Sequence, residues 1–341
     1  MSLKPEMLQE ILNQLPSRKV ALIGDGCVDI YWEADMRLSE LSREVPHYPL
    51  PVVEERFSLG AGANVLANLA ALGVGEIRYV GCIGKDWRGE IFRKLLKEQR
   101  ISDRFLLASD YRVTPAYCKP IRKGISPVCY EDPRLDFNNR TPLTAEEETG
   151  LLEKLEEAAS GADILVVCDQ LANGCITKRV QDRIMELGKR MPVIVDSRDR
   201  VNEYRNVIIK PNEVETCQAL QLEAAAADSI EEMCRAAKQM EERNGSPVLI
   251  TLGGRGVIWC SGGECVQVPA YSVEPPIDFV GAGDSFLAGF SAVYGLDFSA
   301  ETLLAFANLV PAVTIRKIGT TGTAAPEELQ SACQLYSGKL K

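Results

Sequence analysis

Apolar residues along this chain follow two spacings. Short β-branched runs at residues 19–23, 77–82, 164–168, 193–196, 206–209, 248–251, 257–260 and 265–269 have strand length. Between them, apolar positions recur every three to four residues, which predicts helices over 63–72, 86–100, 145–159, 178–190, 212–220, 230–243, 283–294, 301–315 and 326–336. Start signals support several of these. Thr144 with Glu147 and Ser229 with Glu232 have capping-box spacing, and Pro326 suits a first helical turn. Strands alternating with helices predict a doubly wound α/β domain on a mostly parallel sheet.

Residues 31–57 and 112–139 break the rhythm. They are helix-poor and mix aromatics, prolines and alternating positions, as in 117–121 and 127–130. They read as short antiparallel strands forming a flap beside the main sheet. Two surface loops are the plainer account. No internal repeat is present, and all 341 residues read as one domain.

Charge and cysteine content narrow the partners. Lys and Arg total 38 against 48 Asp and Glu, a net charge of −10, which opposes binding to nucleic acid. Eleven cysteines, an odd number without a C-x-x-C pair, suit reduced thiols in a cytoplasmic protein better than disulfides or zinc. Residues 1–19 alternate charged and apolar positions at helical spacing, unlike a signal peptide, and no run reaches the roughly 20 apolar residues of a membrane span.

Five segments carry candidate chemistry. In Asp278-Phe279-Val280-Gly281-Ala282-Gly283-Asp284, small residues open an apolar helix. Its first N–H groups and dipole make an anion site, and Asp284 in the first turn is placed to take a proton from a hydroxyl. A first-turn Asp stabilising a helix is the competing account. Gly60-Ala61-Gly62-Ala63-Asn64 allows close backbone approach, and the Asn64 amide can serve a sugar hydroxyl; tight helix packing explains the same residues. Asp25 and Asp29 follow the first strand, facing the ligand crevice of an open α/β sheet, where they can accept sugar hydroxyls. Gly24-x-Gly26 is a partial dinucleotide fingerprint without its third glycine. Asn212 and Glu215, three apart at a helix start, can organise a hydrated Mg²⁺ or simply cap the helix. Thr251, Gly253, Gly254 and Gly256 form either a β-turn or a loop along a nucleotide. The P-loop pattern is absent, and the single histidine, His47, lies in the flap, leaving Ser285 without a base for hydrolase chemistry.

Together and in this order, these segments resemble the ribokinase-like (PfkB) family of sugar kinases, from about residue 19 to residue 336. Within it the chain is similar to the heptose-phosphate kinase half of ADP-heptose synthase. The matching residues are Gly24-Asp25, Asp29-x-Tyr31-Trp32, Pro51-Val52-Val53 before Glu54-Glu55-Arg56, and Arg134-Leu135-Asp136-Phe137. Glu203-Tyr204-Arg205 before Pro211-Asn212, and Gly319-Thr320 before Pro326-x-Glu328-Leu329, add to them. The resemblance implies ATP and Mg²⁺ as cofactors and a sugar or sugar phosphate as acceptor. It implies Asp284 as base, with Gly281, Ala282 and Gly283 as the anion hole. It implies Asp29, Gly60, Gly62 and Asn64 at the sugar, and Asn212 and Glu215 at Mg²⁺ and phosphates. Thr251, Gly253, Gly254, Gly256 and Asn308 would line the nucleotide site. Asp278 stands where the family often binds a monovalent cation such as K⁺. The flap would be a β lid that often pairs two subunits.

Departures concern the sugar. Ala61 replaces a usual glycine, Val280 a usual threonine, and Cys27 a sugar-binding asparagine. Lys119, Arg122 and Lys123 are candidates to hold a substrate phosphate. Other sugars or nucleosides, a catalytically weak sugar-binding or regulatory module, and a nicotinamide dehydrogenase are the alternative readings.

Overall fold

The computed structural model describes residues 3–337. Helix α1 (Pro5–Gln14) leads into β1 (Lys19–Gly24), and only Asp25 separates β1 from β2 (Gly26–Asp35). Then come β3 (Val52–Ala61), α2 (Gly62–Ala71), β4 (Glu76–Gly84), α3 (Trp87–Glu98) and β5 (Leu106–Ser109). Strands β6 (Ala116–Lys123), β7 (Tyr130–Glu131) and β8 (Leu135–Phe137) precede α4 (Ala145–Ala159), β9 (Ile164–Asp169), α5 (Lys178–Gly188), β10 (Val193–Ser197) and β11 (Ile208–Ile209). The rest is α6 (Glu213–Leu220), α7 (Ile230–Asn244), β12 (Val248–Thr251), β13 (Val257–Ser261), β14 (Glu264–Val268), α8 (Ala282–Val293), α9 (Ala300–Thr314) and α10 (Pro326–Ser337).

Among the described residues, nine strands form the main sheet in the order β14-β13-β12-β11-β10-β9-β1-β4-β5. Pairing is parallel from β5 to β12, and the β12–β13–β14 meander is antiparallel. Strand residues alternate between two buried layers. Val20, Leu22, Ile164, Val166 and Ile194 pack with α2, α8 and α9, whereas Ala21, Ile23, Leu165, Val167 and Val195 pack with α4, α5 and α7. Both faces are covered, which is why the central strands read as continuous apolar runs. Strand order reverses at β1, between β9 and β4, so the carboxyl ends of β1 and β9 open the crevice where ligands bind in such sheets.

The second sheet has the order β3-β2-β6-β7, with β8 also on β6. It differs from the expected flap. Strands β2 and β3 have ten residues each, and β2 begins at Gly26 rather than Tyr31. The β2–β6 pairing is parallel over eight residue pairs, Val28↔Ala116 to Asp35↔Lys123. Pairing between segments some ninety residues apart leaves no local trace. The β1, β4, β9, β10 and β12 to β14 expectations hold to within two residues, α1 falls in the stretch with helical spacing at 1–19, and β5 lies outside the predicted set. Thr144–Glu147 forms a complete capping box, whereas Ser229 caps α7 from its own side chain only.

Ala61, at the start of α2, has φ +50° and ψ −139°, a region that suits glycine rather than an L side chain. Such strain costs about 1–3 kcal/mol, and glycine gives back roughly 0.5–1 kcal/mol through its greater chain entropy. Ala61→Gly is therefore expected to stabilise the fold by about 1 kcal/mol, read as a higher urea midpoint at unchanged slope. An unchanged or lower midpoint would show that the backbone at 61 is unstrained.

Candidate active site

Helix α8 begins after Gly281, whose φ of +78° only glycine adopts readily; a Cβ there would also lie 2.7 Å from Asn64 Nδ2. The Ala282 N–H donates to the Phe279 carbonyl (3.1 Å) and is not the free donor expected from the sequence. The N–H groups of Gly283 and Asp284 have no backbone acceptor among the described residues, and the space beside Gly283 is open. The turn thus offers donors for an anion. Ser285 is buried and its hydroxyl bonds to Thr314, which removes it as a nucleophile.

Asp284 stands in the first turn of α8, and Asn64 Nδ2 donates to its Oδ2 at 2.9 Å. The Gln170 side chain is also within hydrogen-bonding reach of it. Burial pushes the Asp284 carboxyl up to about 6; the nearby Asp196 charge adds to this, while Asn64 and Lys210 oppose it. A carboxylate poised near neutrality suits proton abstraction.

On one side of Asp284 lies the second sheet. Asp29 on β2 is 4% exposed and pairs with Lys119 Nζ of β6 at 3.2 Å. Burial alone would lower the Lys119 ammonium, but Asp29 and the Tyr31 hydroxyl outweigh it, so its pKa is raised. Gly60 is required here, since a Cβ would fall 2.8 Å from both the Asp29 carboxylate and the Cys27 sulfur. Burial holds the Cys27 thiol well up, and the charges of Asp29 and Asp284 on either side of it add to this. Arg134 stacks on the Tyr117 ring at 4.2 Å and binds Asp136. The basic residues singled out by sequence are paired: Lys119 with Asp29, Arg122 with Asp132, Lys123 with Glu33. Arg198, after β10, is exposed and makes no ion pair among the described residues.

On the other side is a cleft of about 700 Å³, lined by Asn212, Glu215, Thr251, Gly253, Gly254, Gly256, Gly283 and Asn308. The sequence-predicted nucleotide residues therefore share one space. Their local roles are more specific. Asn212 and Glu215 form a full capping box, each accepting the other's N–H at 2.8 Å, which leaves Glu215 one oxygen without a partner among the described residues. The Asn308 amide donates to the carbonyls of Val268 and Pro269 and so shapes the wall. Gly256, at φ +94°, turns the chain into β13. Lys210 is buried beside Asp196 (3.2 Å); burial opposes its charge, but Asp196 and Glu215 prevail, so its pKa is raised.

One sequence expectation changes. Asp25 does not face a ligand: it is 2% exposed, and both its oxygens accept backbone N–H groups, from Gln170, Leu171 and Cys175. Asp278 accepts from the Val280 and Gly319 N–H groups, one with each oxygen, tying the anion turn to the loop after α9. Gly62 packs against β9, where a Cβ would lie 2.6 Å from that of Cys168. Gln170, Asp196, Arg198 and Lys210 were missed as site residues, although each sits at or just beyond the carboxyl end of a central parallel strand, where such residues are to be sought.

Comparison with known proteins agrees with this geometry. The profile of the pfkB family carbohydrate kinases matches residues 28–328. The bifunctional protein HldE of Syntrophotalea carbinolica is 28% identical over 337 residues, covering 95% of this chain and 65% of that protein. HldE of Azorhizobium caulinodans is 30% identical over 331 residues, covering 94% and 65%. The chain thus spans just under two thirds of the length of these relatives. Among solved structures, Escherichia coli phosphofructokinase-2 superposes with a TM-score of 0.72 at 21% identity, covering 94% of this chain and 99% of that one. Arabidopsis thaliana ribokinase, complexed with ribose and ATP, gives 0.68 at 18%, covering 93% and 99%. The chain has the ribokinase-like fold and belongs to the PfkB family of carbohydrate kinases, phosphotransferases with an alcohol group as acceptor.

Proposed function

We propose that this chain transfers the γ-phosphoryl of ATP to a hydroxyl of a sugar or sugar phosphate, with Asp284 as the general base. One observation carries the reading: Asp284, held by Asn64, stands at the head of α8 beside N–H groups without an acceptor among the described residues, with the cleft on one side and the second sheet of Asp29 on the other. Asp284 would take the hydroxyl proton, and the N–H groups of Gly283 and Asp284 would offset charge growing on the transferring phosphoryl. Asp29, paired with Lys119, would orient the sugar.

No group of three or more His, Cys, Asp or Glu side chains forms a metal cage among the described residues. Mg²⁺ fits such a site, since it takes one or two carboxylates and completes its shell with phosphate oxygens and water. Glu215 and Asp196 in the cleft are its candidate holders, and when bound it would neutralise phosphate charge. Asp278 accepts one N–H with each oxygen, keeps a lone pair on both, and would be a candidate holder of a K⁺ ion.

A substrate of the heptose 7-phosphate kind, accepting the phosphoryl at its anomeric hydroxyl, is favoured by the HldE relatives and by Arg198, a cation near Tyr117 with no ion pair among the described residues. Exposed apolar residues of the second sheet, among them Val52, Val53, Leu135 and Phe137, support the pairing of two subunits through it.

ATP consumption measured against free sugars, sugar phosphates and nucleosides should single out one acceptor class, and Asp284→Ala should lose roughly 10²–10⁴-fold of that turnover. Turnover unchanged in the variant would end the case for Asp284 as base. The kcat/KM profile should fall tenfold per pH unit below a midpoint near 6, because only the carboxylate form accepts the proton. A flat profile from pH 5 to 8 would argue against it. Stability gives an independent check. Because the folded carboxyl lies above its unfolded value of 3.8, its contribution is present below that value and lost as pH rises through 6. Asp284→Asn should therefore raise the melting temperature more at pH 8 than at pH 5.

A further inference from the structure

Asp25 is the single residue between β1 and β2, at the point where strand order reverses. Every polar group it has is used inside the protein. Its N–H donates to the Cys168 carbonyl on β9 (3.0 Å), and its own carbonyl accepts the Gly62 N–H (2.8 Å) at the start of α2. Its carboxylate accepts the N–H groups of Gln170 (3.0 Å), Leu171 (2.8 Å) and Cys175 (2.6 Å). The loop closes on it so tightly that a Cβ at Gly174 would lie 2.0 Å from Oδ1. A neutral side chain could not accept three donors in this way.

Keeping such a group is costly. Burial pushes the Asp25 carboxyl up to about 6 despite the three N–H donors, and the Asp169 charge adds to this. What the arrangement achieves is visible at its two ends. Gln170, whose N–H Asp25 holds, lines the cleft with its side chain in reach of Asp284. Gly62, whose N–H Asp25 also holds, is two residues before Asn64, which donates to Asp284 at 2.9 Å. Both amides that reach Asp284 are thus anchored on one residue that never touches it.

We propose that Asp25 is a positioning residue for the catalytic carboxylate: by joining the 170–175 loop to the first turn of α2, it aims the Gln170 and Asn64 amides at Asp284. This rests on the reading of Asp284 as the base. The amides donate to the ionised form and so favour it. The other groups facing Asp284 are Asp196 and Lys210, with the Cys27 and Cys168 thiols; those facing Asp25 are Asp169, Tyr79, Cys168 and Cys175. None of the variants below alters them.

The test reads Asp284 directly. With ¹³Cγ-aspartate label, the Asp284 resonance is identified by its loss in Asp284→Asn and titrated in the wild type, Gln170→Ala and Asp25→Asn. Removing a hydrogen bond to a charged group should move the midpoint upward by about one pH unit in each variant. In the double variant the two shifts should add to less than their sum, because both remove the Gln170 donor. An unchanged midpoint in either folded single variant, or full additivity in the double, would overturn the proposal. If Asp25→Asn does not fold, wild-type hydrogen exchange decides its part: the Gln170, Leu171 and Cys175 N–H groups should be strongly protected, and rapid exchange would overturn the anchoring. Sugar-dependent ATP turnover of the wild type tests the kinase reading separately, so failure of one is distinguishable from failure of the other.

Discussion

The carboxyl ends of β1 and β9 lie side by side where the strand order of the main sheet reverses, and the rest of the site depends on how that junction is closed. A doubly wound sheet leaves a crevice at this point by topology alone. Here the crevice is spanned by Asp25, whose backbone bonds to β9 and α2 and whose carboxylate gathers the loop after β9. The constraint is severe because a buried carboxylate tolerates few arrangements. Its oxygens must be met by N–H groups, and moving any of them exposes an unsatisfied charge. Loop, strand and helix start are therefore held as one unit, and the head of α8 packs against that unit through Gly281 and Asn64.

Much of the charge around this unit is arranged in pairs. Lys210 answers Asp196, Lys119 answers Asp29, and Arg200 with the Tyr204 hydroxyl answers Asp169. These pairs sit in poorly solvated surroundings, where a charge without its partner is costly. Asp284 and Arg198 stand outside these pairs: Asp284 has amides rather than a cation, and Arg198 makes no ion pair among the described residues. A poorly solvated carboxylate held by amides keeps a raised pKa.

Much of the fold was legible in the sequence because its signals are local. The apolar runs of Val20 to Ile23 and Ile164 to Cys168 announce strands covered on both faces, and Thr144 with Glu147 announces α4 by itself. The Gly-Ala-Gly turn was equally readable: a helix that starts on small residues must present N–H groups. Strand β2 was not readable, because its ten residues are stabilised by β3 on one side and a parallel β6 on the other. Lys119, Arg122 and Lys123 misled for a related reason. As a run of cations they suggest a phosphate pocket, yet each is already matched to a carboxylate on β2 or in the turn before β8.

The sequence by itself determined the strand–helix alternation, the anion turn of α8 with Asp284 in its first turn, and the helix cap at Asn212 and Glu215. Each depends on residues within about four positions of one another, and short-range geometry dictates what they can do. Only the tertiary structure decided that Asp25 anchors a loop rather than binding a sugar, that Asn64 reaches Asp284 across 220 positions, and that Asp29 is matched to Lys119. Those outcomes follow from which chain ends the sheet brings together, and a buried carboxylate takes its role from the donors it meets there.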